Sequence, residues 1–217
     1  MENNGPAVVF AGGDPVPASV RALLPRGALV IAADSGLDVA RRLGVAVDLV
    51  VGDLDSADPA SVAASVADGA SLERHPVAKD ATDLELALET ALRIGRSPVL
   101  VLGGAGWDRL DHLLANMLLV SSPRYAPVRL RWWVKGMEVA PVHDRLEIEG
   151  LPGDLVTLLA VGGPAQGVTT SGLRWPLRAE TLTPGSTRGV SNELEAARAT
   201  VSVAQGVVLA LHAGRQP

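Results

Sequence analysis

Four short apolar runs, "AVVFAGG", "ALVIAAD", "DLVVGD" and "PVLVLGG", each stop at glycine or aspartate, and amphipathic segments separate them within the first 130 or so residues. Aliphatic runs without polar alternation predict strands buried on both faces. The intervening segments carry helical spacing. From Thr82, residues Leu84, Ala87, Leu88, Ala91 and Leu92 fall on one stripe; from Arg109, so do Leu110, Leu113, Leu114, Met117 and Leu118. Thr82 with Glu85 three positions later predicts a capping box at the start of the first of these helices. Repeated strand, helix, strand units imply an α/β fold: a parallel sheet with helices on both faces.

After "SSPRYAP" the rhythm changes. "VRLRWWV", "DRLEIEG", "DLVTLLAV", "GVTTSGL", "RAETLTP", "ATVSVAQ" and "VVLALHA" are short, several alternate with period two, and glycine and proline punctuate them. This predicts a C-terminal antiparallel β domain. The expected division is 1–130 and 131–217, with the boundary between Tyr125 and Lys135 and with "VRLRWWV" compatible with either sheet. A chain of 217 residues, 47% hydrophobic, can supply cores for two such domains.

Composition removes several function classes. Lys plus Arg number 19 against 24 Asp plus Glu, a formal net charge of -5, and no basic tract occurs, which argues against a nucleic-acid partner. Cysteine is absent, so disulfides, thiolate metal sites and a cysteine nucleophile are excluded. The opening "MENNGPAVVFAGGD" has an acid where a secretion signal needs Lys or Arg. The longest uncharged stretch, Leu155 to Leu173, is interrupted by Gly162, Gly163 and Pro164 and does not read as a membrane helix. A cytoplasmic protein without a membrane partner is the expectation.

Ligands of open parallel sheets bind beyond the carboxyl ends of the strands. Asp34, Asp53 and Asp55 stand at such ends, and Asp53 and Asp55, two apart on an extended chain, should point the same way. Clustered carboxylates there suit a hard cation such as Mg²⁺ carrying phosphate oxygens, while a helix cap at Asp34 and an Asx turn at Asp55 are the structural alternatives. In "KDATDLELALE", Asp80 and Asp83 flank a helix start, where carboxylates are favoured whatever their function, and Lys79 either meets phosphate or balances charge. In "VLGGAGWDRLDHLLAN" a strand enters a glycine-rich turn and a helix bearing Arg109, His112 and Asn116 opposite its apolar stripe. Backbone N–H groups of such a turn can cradle phosphate and Arg109 can add a forked donor, although no Walker A or Rossmann glycine spacing is present. In the β domain, Trp175 of "TTSGLRWPL" is either core or a stacking plate for a heterocycle. Ser191 and Asn192 of "PGSTRGVSNE" are either turn formers or hydrogen-bonding groups for the same ring.

Taken in order, "ADSG", "GDLDS", "KDATDLELAL", "GWDRLDHLLAN", "SGLRWPL" and "GSTRGVSNE" resemble the motifs of the thiamine pyrophosphokinase (thiamine diphosphokinase) family across almost the whole chain. The resemblance implies a Rossmann-like α/β domain that binds ATP and Mg²⁺, a β-sandwich that binds thiamine, and a homodimer with active sites at the subunit interface. It implies transfer of an intact pyrophosphoryl group from ATP to the hydroxyl of thiamine, giving thiamine diphosphate and AMP. By similarity, Asp53, Asp55 and Asp83 are metal ligands, with Asp34 completing the acidic site directly or through water. Asp55 or Asp83 accepts the hydroxyl proton, and Arg109 meets phosphate. Asp34, Lys79, Thr82, Asp111 and His112 line the ATP side, and Trp175, Ser191 and Asn192 hold thiamine.

Two departures stand out. The stretch Gly106-Trp107-Asp108-Arg109 is one residue longer than the family's usual Gly-Gly-Arg, and Ser35 stands where a second glycine is frequent. The alternatives are a diphosphokinase acting on a hydroxymethylpterin, against which "SGLRWPL" and "VSNE" argue, and a catalytically silent thiamine- or nucleotide-binding regulator, against which the clustered aspartates argue.

Overall fold

The computed structural model describes residues 4–106 and 109–214 and divides the chain into two compact units. The first takes residues up to 116 together with 127–135, and the second takes 117–126 together with the chain from 136 onward. The first unit therefore extends to Lys135, the far end of the range, Tyr125 to Lys135, expected for the boundary.

The first unit is built on β1 (Ala7–Ala11), β2 (Leu29–Ala33), α1 (Gly36–Arg42), β3 (Leu49–Gly52), α2 (Pro59–Ala67), β4 (Ser71–Arg74), α3 (Asp83–Arg93), β5 (Val99–Gly103), the part of α4 (Leu110–Val120) up to Asn116, and β6 (Leu130–Val134). Its strands lie in the order β4-β3-β2-β1-β5-β6, and every pairing among them is parallel. The chain first winds outward from β1 through β4, then returns to place β5 on the other side of β1, which creates a topological switch point between β1 and β5. The strand from "VRLRWWV" is β6, paired in parallel with β5, so it belongs to this sheet.

Both faces of the sheet are covered, as the unbroken apolar runs require. Val8, Phe10 and Leu102 pack with Val39, Ala40 and Leu43 on the side of α1. Val9, Ile31, Val51 and Val101 point oppositely and are completely buried, and α3, packed on β1, β2 and β3, supplies their cover through Leu84, Ala87, Leu88 and Ala91. Thr82 is the N-cap of α3, its Oγ1 accepting from Glu85 N–H at 3.3 Å. The α4 stripe departs from expectation. Leu110, Leu114 and Leu118 are 63%, 54% and 63% exposed, and the helix buries Asn116 and Val120 instead.

The second unit contains β7 (Met137–Val142), β8 (Arg145–Glu149), β9 (Leu155–Ser171), β10 (Glu180–Leu182), β11 (Asn192–Glu193), β12 (Arg198–Ser202) and β13 (Gln205–Ala213). All its pairings are antiparallel, with β7-β13-β9-β12-β8 in order and β10 and β11 added to β9. The two runs expected as separate strands, "DLVTLLAV" and "GVTTSGL", are one 17-residue strand, β9. Its first half pairs with β13 and its last residues, Thr169 to Ser171, pair with β12, so β9 leaves one layer and enters the other. Gly162, at φ 76°, lies where the strand changes partners. Val156, Leu158, Val208 and Ala210 of one layer and Ile148, Val168, Ala199 and Val201 of the other share a single core. The antiparallel pairing is the one expected from the period-two pattern, and the two layers over one core make the β-sandwich that the family resemblance implies. No helix among the described residues is long and apolar enough to cross a membrane.

Candidate active site

A cleft of about 280 Å³ opens at the carboxyl ends of β1, β2 and β5, lined by Gly12 and Gly13 after β1, Asp34 and Ser35 after β2, and Gly104 and Ala105 after β5. This is the switch point, where a crevice is left because the loops from neighbouring strands run in opposite directions. Close backbone approach builds its floor. A Cβ on Gly13, whose φ is 112°, would lie 2.4 Å from the Ala105 carbonyl oxygen, so only glycine fits. Asn116 of α4 donates from Nδ2 to the Gly104 carbonyl at 2.8 Å, and the buried Trp132 indole donates to that of Gly103 at 2.7 Å. Together they fix the turn after β5.

At one end of the cleft, oxygens of Asp34, Asp53 and Asp83 all lie within 4.8 Å of one another. Three separate elements supply them. Asp34 follows β2, Asp53 follows β3, and Asp83 opens the first turn of α3. The hydrogen bond from Asp34 N–H to the Val51 carbonyl, 2.9 Å, ties the first two loops. Asp34 has φ 46°, a left-handed conformation uncommon for non-glycine residues, though Asp tolerates it better than most. A Cβ on Gly52, φ 143°, would lie 2.7 Å from Asp83 Oδ1 and 3.3 Å from Asp34 Cβ, so this glycine makes room for the convergence.

The electrostatics of the three differ. Asp34 is only 6% exposed, and its Oδ1 is buried without a hydrogen-bond partner among the described residues. Burial pushes its carboxyl up from the usual range, with the charges of Asp83 and Asp53 adding to the effect and hydrogen bonds from Ser35 N–H and Ser56 working against it. Asp53 is pulled the other way, chiefly by its hydrogen bond from the Lys79 ammonium. Lys79 Nζ bonds Asp53 and lies 2.8 Å from Asp83 Oδ1, with its side chain only 13% exposed. Burial disfavours its charge, but the two carboxylates overcome that and raise its pKa.

Asp55 sits elsewhere. Leu54, at φ 65°, breaks the extended path on which Asp53 and Asp55 would have pointed together. Asp55 is exposed, its N–H donates to Asp53 Oδ1 at 3.2 Å, and its own carboxylate accepts from Ser56 Oγ at 2.9 Å. Thr82 lines the cleft while capping α3. Arg109 and His112 line it too, both exposed. The Arg109 guanidinium grips Asp111 through Nε and Nη2 at 3.1 and 3.0 Å, and that fork lowers the Asp111 carboxyl to about 2. Trp107 and Asp108, which carry the longer loop, lie outside the described residues. Ser56, Gly12 and Gly13 were not singled out by sequence. The paired glycines closing the first apolar run were the available signal.

In the second unit a cleft of about 470 Å³ is lined by Trp175, Ser186, Thr187, Arg188 and Asn192, among others. The Trp175 side chain is 47% exposed rather than core, with the Arg174 guanidinium 5.0 Å above its ring. Asn192 is buried and gives its amide to the Trp175 backbone. Ser191 is exposed at φ 55°, its N–H bonded to Thr157 Oγ1 at 3.1 Å.

Known proteins match both units. Residues 20–130 match the family model described as thiamin pyrophosphokinase, catalytic domain, and residues 145–208 the one described as thiamin pyrophosphokinase, vitamin B1 binding domain. A thiamine pyrophosphokinase of Bacillus subtilis (strain 168) is 28% identical over 141 residues, an alignment spanning 64% of this chain and 65% of that relative. The crystal structure of thiamine pyrophosphokinase from Bacillus subtilis superposes with a TM-score of 0.83 at 25% identity, covering 97% of this chain and 99% of that one. A thiamin pyrophosphokinase family protein from Enterococcus faecalis shares the fold, with a TM-score of 0.78, 22% identity and coverage of 95% and 98%. With the catalytic model spanning half the chain and the clustered Asp34, Asp53 and Asp83 lying within it, the chain belongs to the thiamine pyrophosphokinase family.

Proposed function

We propose that the protein is a thiamine diphosphokinase, which moves the β- and γ-phosphoryl groups of ATP as one unit to the hydroxyethyl oxygen of thiamine. The thiamine oxygen forms a bond to the β-phosphorus, the bond from that phosphorus to the α,β-bridging oxygen breaks, and AMP leaves. The hydroxyl proton passes to a carboxylate, Asp55 or Asp83. The observation that carries this reading is the convergence of Asp34, Asp53 and Asp83, all within the segment matched by the catalytic family model, beside the switch-point cleft that Asp34 and Asp83 line.

Asp34, Asp53 and Asp83 are the residues that would hold Mg²⁺, and the orphaned, buried Oδ1 of Asp34 supports the fit, since a buried carboxylate oxygen without a donor otherwise costs stability. Bound there, the cation supplies charge neutralisation for the polyphosphate. The exposed Asp55, one loop residue from the cluster, remains a candidate ligand as well as a candidate base. The chain's own groups supply the rest. Gly12, Gly13 and Gly104 let polyphosphate approach the backbone, and Arg109 turns its fork from Asp111 to phosphate. His112 and Thr82 border the same cleft. On the thiamine side, the half-exposed Trp175 indole offers a stacking face, Ser191 an exposed hydroxyl, and Asn192 fixes the backbone beneath them.

The active unit in this reading is a homodimer with sites at the subunit interface. The exposed Leu110, Leu114 and Leu118 ridge of α4 supports self-association, because three leucines one turn apart in water are unfavourable for a lone chain. The test of the function is AMP release from ATP in the presence of thiamine and Mg²⁺. The proposal expects turnover in the wild type and none in a folded Asp53→Asn variant, and absence of thiamine-dependent AMP in the wild type would overturn it.

A further inference from the structure

Lys79 is spent before any substrate arrives. Its ammonium bonds Asp53 and lies 2.8 Å from Asp83 Oδ1, so it occupies two of the three carboxylates that would hold a cation. The third, Asp34, keeps a buried oxygen without a hydrogen-bond partner in the same group, and Asp83 Oδ1, in ion-pair contact with the ammonium, accepts no well-aligned hydrogen bond among the described residues either. We propose that Lys79 is the resident counter-ion of the acidic site: it keeps free divalent cations out, and yields the aspartates only when a cation enters together with polyphosphate. This rests on the assignment of Asp34, Asp53 and Asp83 as the cation site.

A divalent cation bound by Asp53 and Asp83 while Lys79 kept both contacts would stand within a few ångströms of an ammonium in a largely buried setting, where like charges are poorly screened. The lysine must therefore move, and leaving both carboxylates deprives a mostly buried charge of those partners. A triphosphate changes the balance. It brings more negative charge than a divalent cation cancels, and its oxygens offer the ammonium an equivalent partner in the adjoining cleft. Lys79 lies four residues before Asp83, in the segment leading to α3, so a flexible four-carbon stem can exchange partners without disturbing the helix. The consequence is strong mutual dependence of cation and nucleotide binding.

The test uses Mn²⁺ alone as the probe, followed by electron paramagnetic resonance on the full chain without nucleotide. Wild type should bind it weakly, Lys79→Met at least roughly tenfold more tightly, and Lys79→Arg, which keeps the charge, like wild type. The thermal midpoint of Lys79→Met should rise on adding Mn²⁺ while that of wild type barely moves, which reads the effect independently of activity. With a non-hydrolysable ATP analogue present, wild type should recover the affinity it lacked. Equal Mn²⁺ affinity in wild type and Lys79→Met without nucleotide overturns the counter-ion role while leaving the cation site intact. Mn²⁺ binding that survives Asp53→Asn in the Lys79→Met background overturns the site assignment itself.

Discussion

Asn192 holds Trp175 by both ends of its amide: Nδ2 donates to the Trp175 carbonyl at 2.7 Å, and Oδ1 accepts from the Trp175 N–H at 3.1 Å. The same Oδ1 also accepts from Glu193 N–H at 2.9 Å, so the amide is committed to backbone. Its effect on a ligand is exerted through the position of the indole. Asn192→Ala should cost about 1–3 kcal/mol of stability through unsatisfied buried groups and should raise the KM for thiamine more than that for ATP. Parallel thermal unfolding and steady-state kinetics check this. An unchanged KM for thiamine in a folded variant would remove Trp175 from the thiamine site or Asn192 from its support.

Asp34 predicts a trade of stability for function. With cation chelated, Asp34→Asn should be more stable than wild type at neutral pH by about 1–2 kcal/mol, since it removes an unsatisfied buried charge, while losing turnover. The sign follows from linkage. Burial raises the native pKa of Asp34 above its unfolded value, so the native state holds the proton more tightly, and wild-type stability falls as pH climbs from the ordinary carboxylate range through the raised native value. The advantage of asparagine is full above that window and disappears below it. Denaturant unfolding of both proteins across acid and neutral pH measures the difference, and a constant gap at all pH values would contradict the burial of the charge.

Gly52→Ala should act on chemistry more than on folding. The added Cβ would meet Asp83 Oδ1 at 2.7 Å and force apart groups that must converge. Displacement on the order of 1 Å costs roughly a hundredfold in rate, and the φ of 143° adds strain of about 1–3 kcal/mol. Turnover falling by only a few-fold in a folded variant would mean that the Asp83 position is not critical.

The α4 ridge predicts the oligomeric state. In the proposed homodimer, Leu114→Glu places a charge amid Leu110 and Leu118 and should convert a dimeric wild type to monomer in analytical ultracentrifugation, with little loss of monomer stability because Leu114 is already 54% exposed; a monomeric wild type would overturn the dimer itself. A variant that sediments like wild type would move the interface elsewhere.

These residues also mark how far sequence alone reaches. The unbroken runs became β1, β2, β3 and β5, and the Thr82 pattern became α3 with Thr82 as its cap, because burial on both faces and local capping are written in neighbouring positions. The α4 stripe shows the limit of periodicity, which identifies a helix and an apolar stripe but not what covers it. Leu54, a left-handed residue that no pattern announces, breaks the shared orientation expected of Asp53 and Asp55. Asp34 joins Asp53 because β2 and β3 are adjacent and parallel, and Asn192 meets Trp175 across 17 residues. Such meetings are products of topology. The single strand β9 conceals itself because Gly162, Gly163 and Pro164 look like a turn and serve instead as the place where the strand changes layers.

The central claim is that a pyrophosphoryl group moves intact. Incubation with thiamine, Mg²⁺ and ATP labelled separately at the γ- and α-phosphorus, with products separated chromatographically, tests it directly. The account predicts thiamine diphosphate carrying the γ label and AMP keeping the α label, in equal amounts. Thiamine monophosphate with ADP would mean transfer of a single phosphoryl group and would contradict the account.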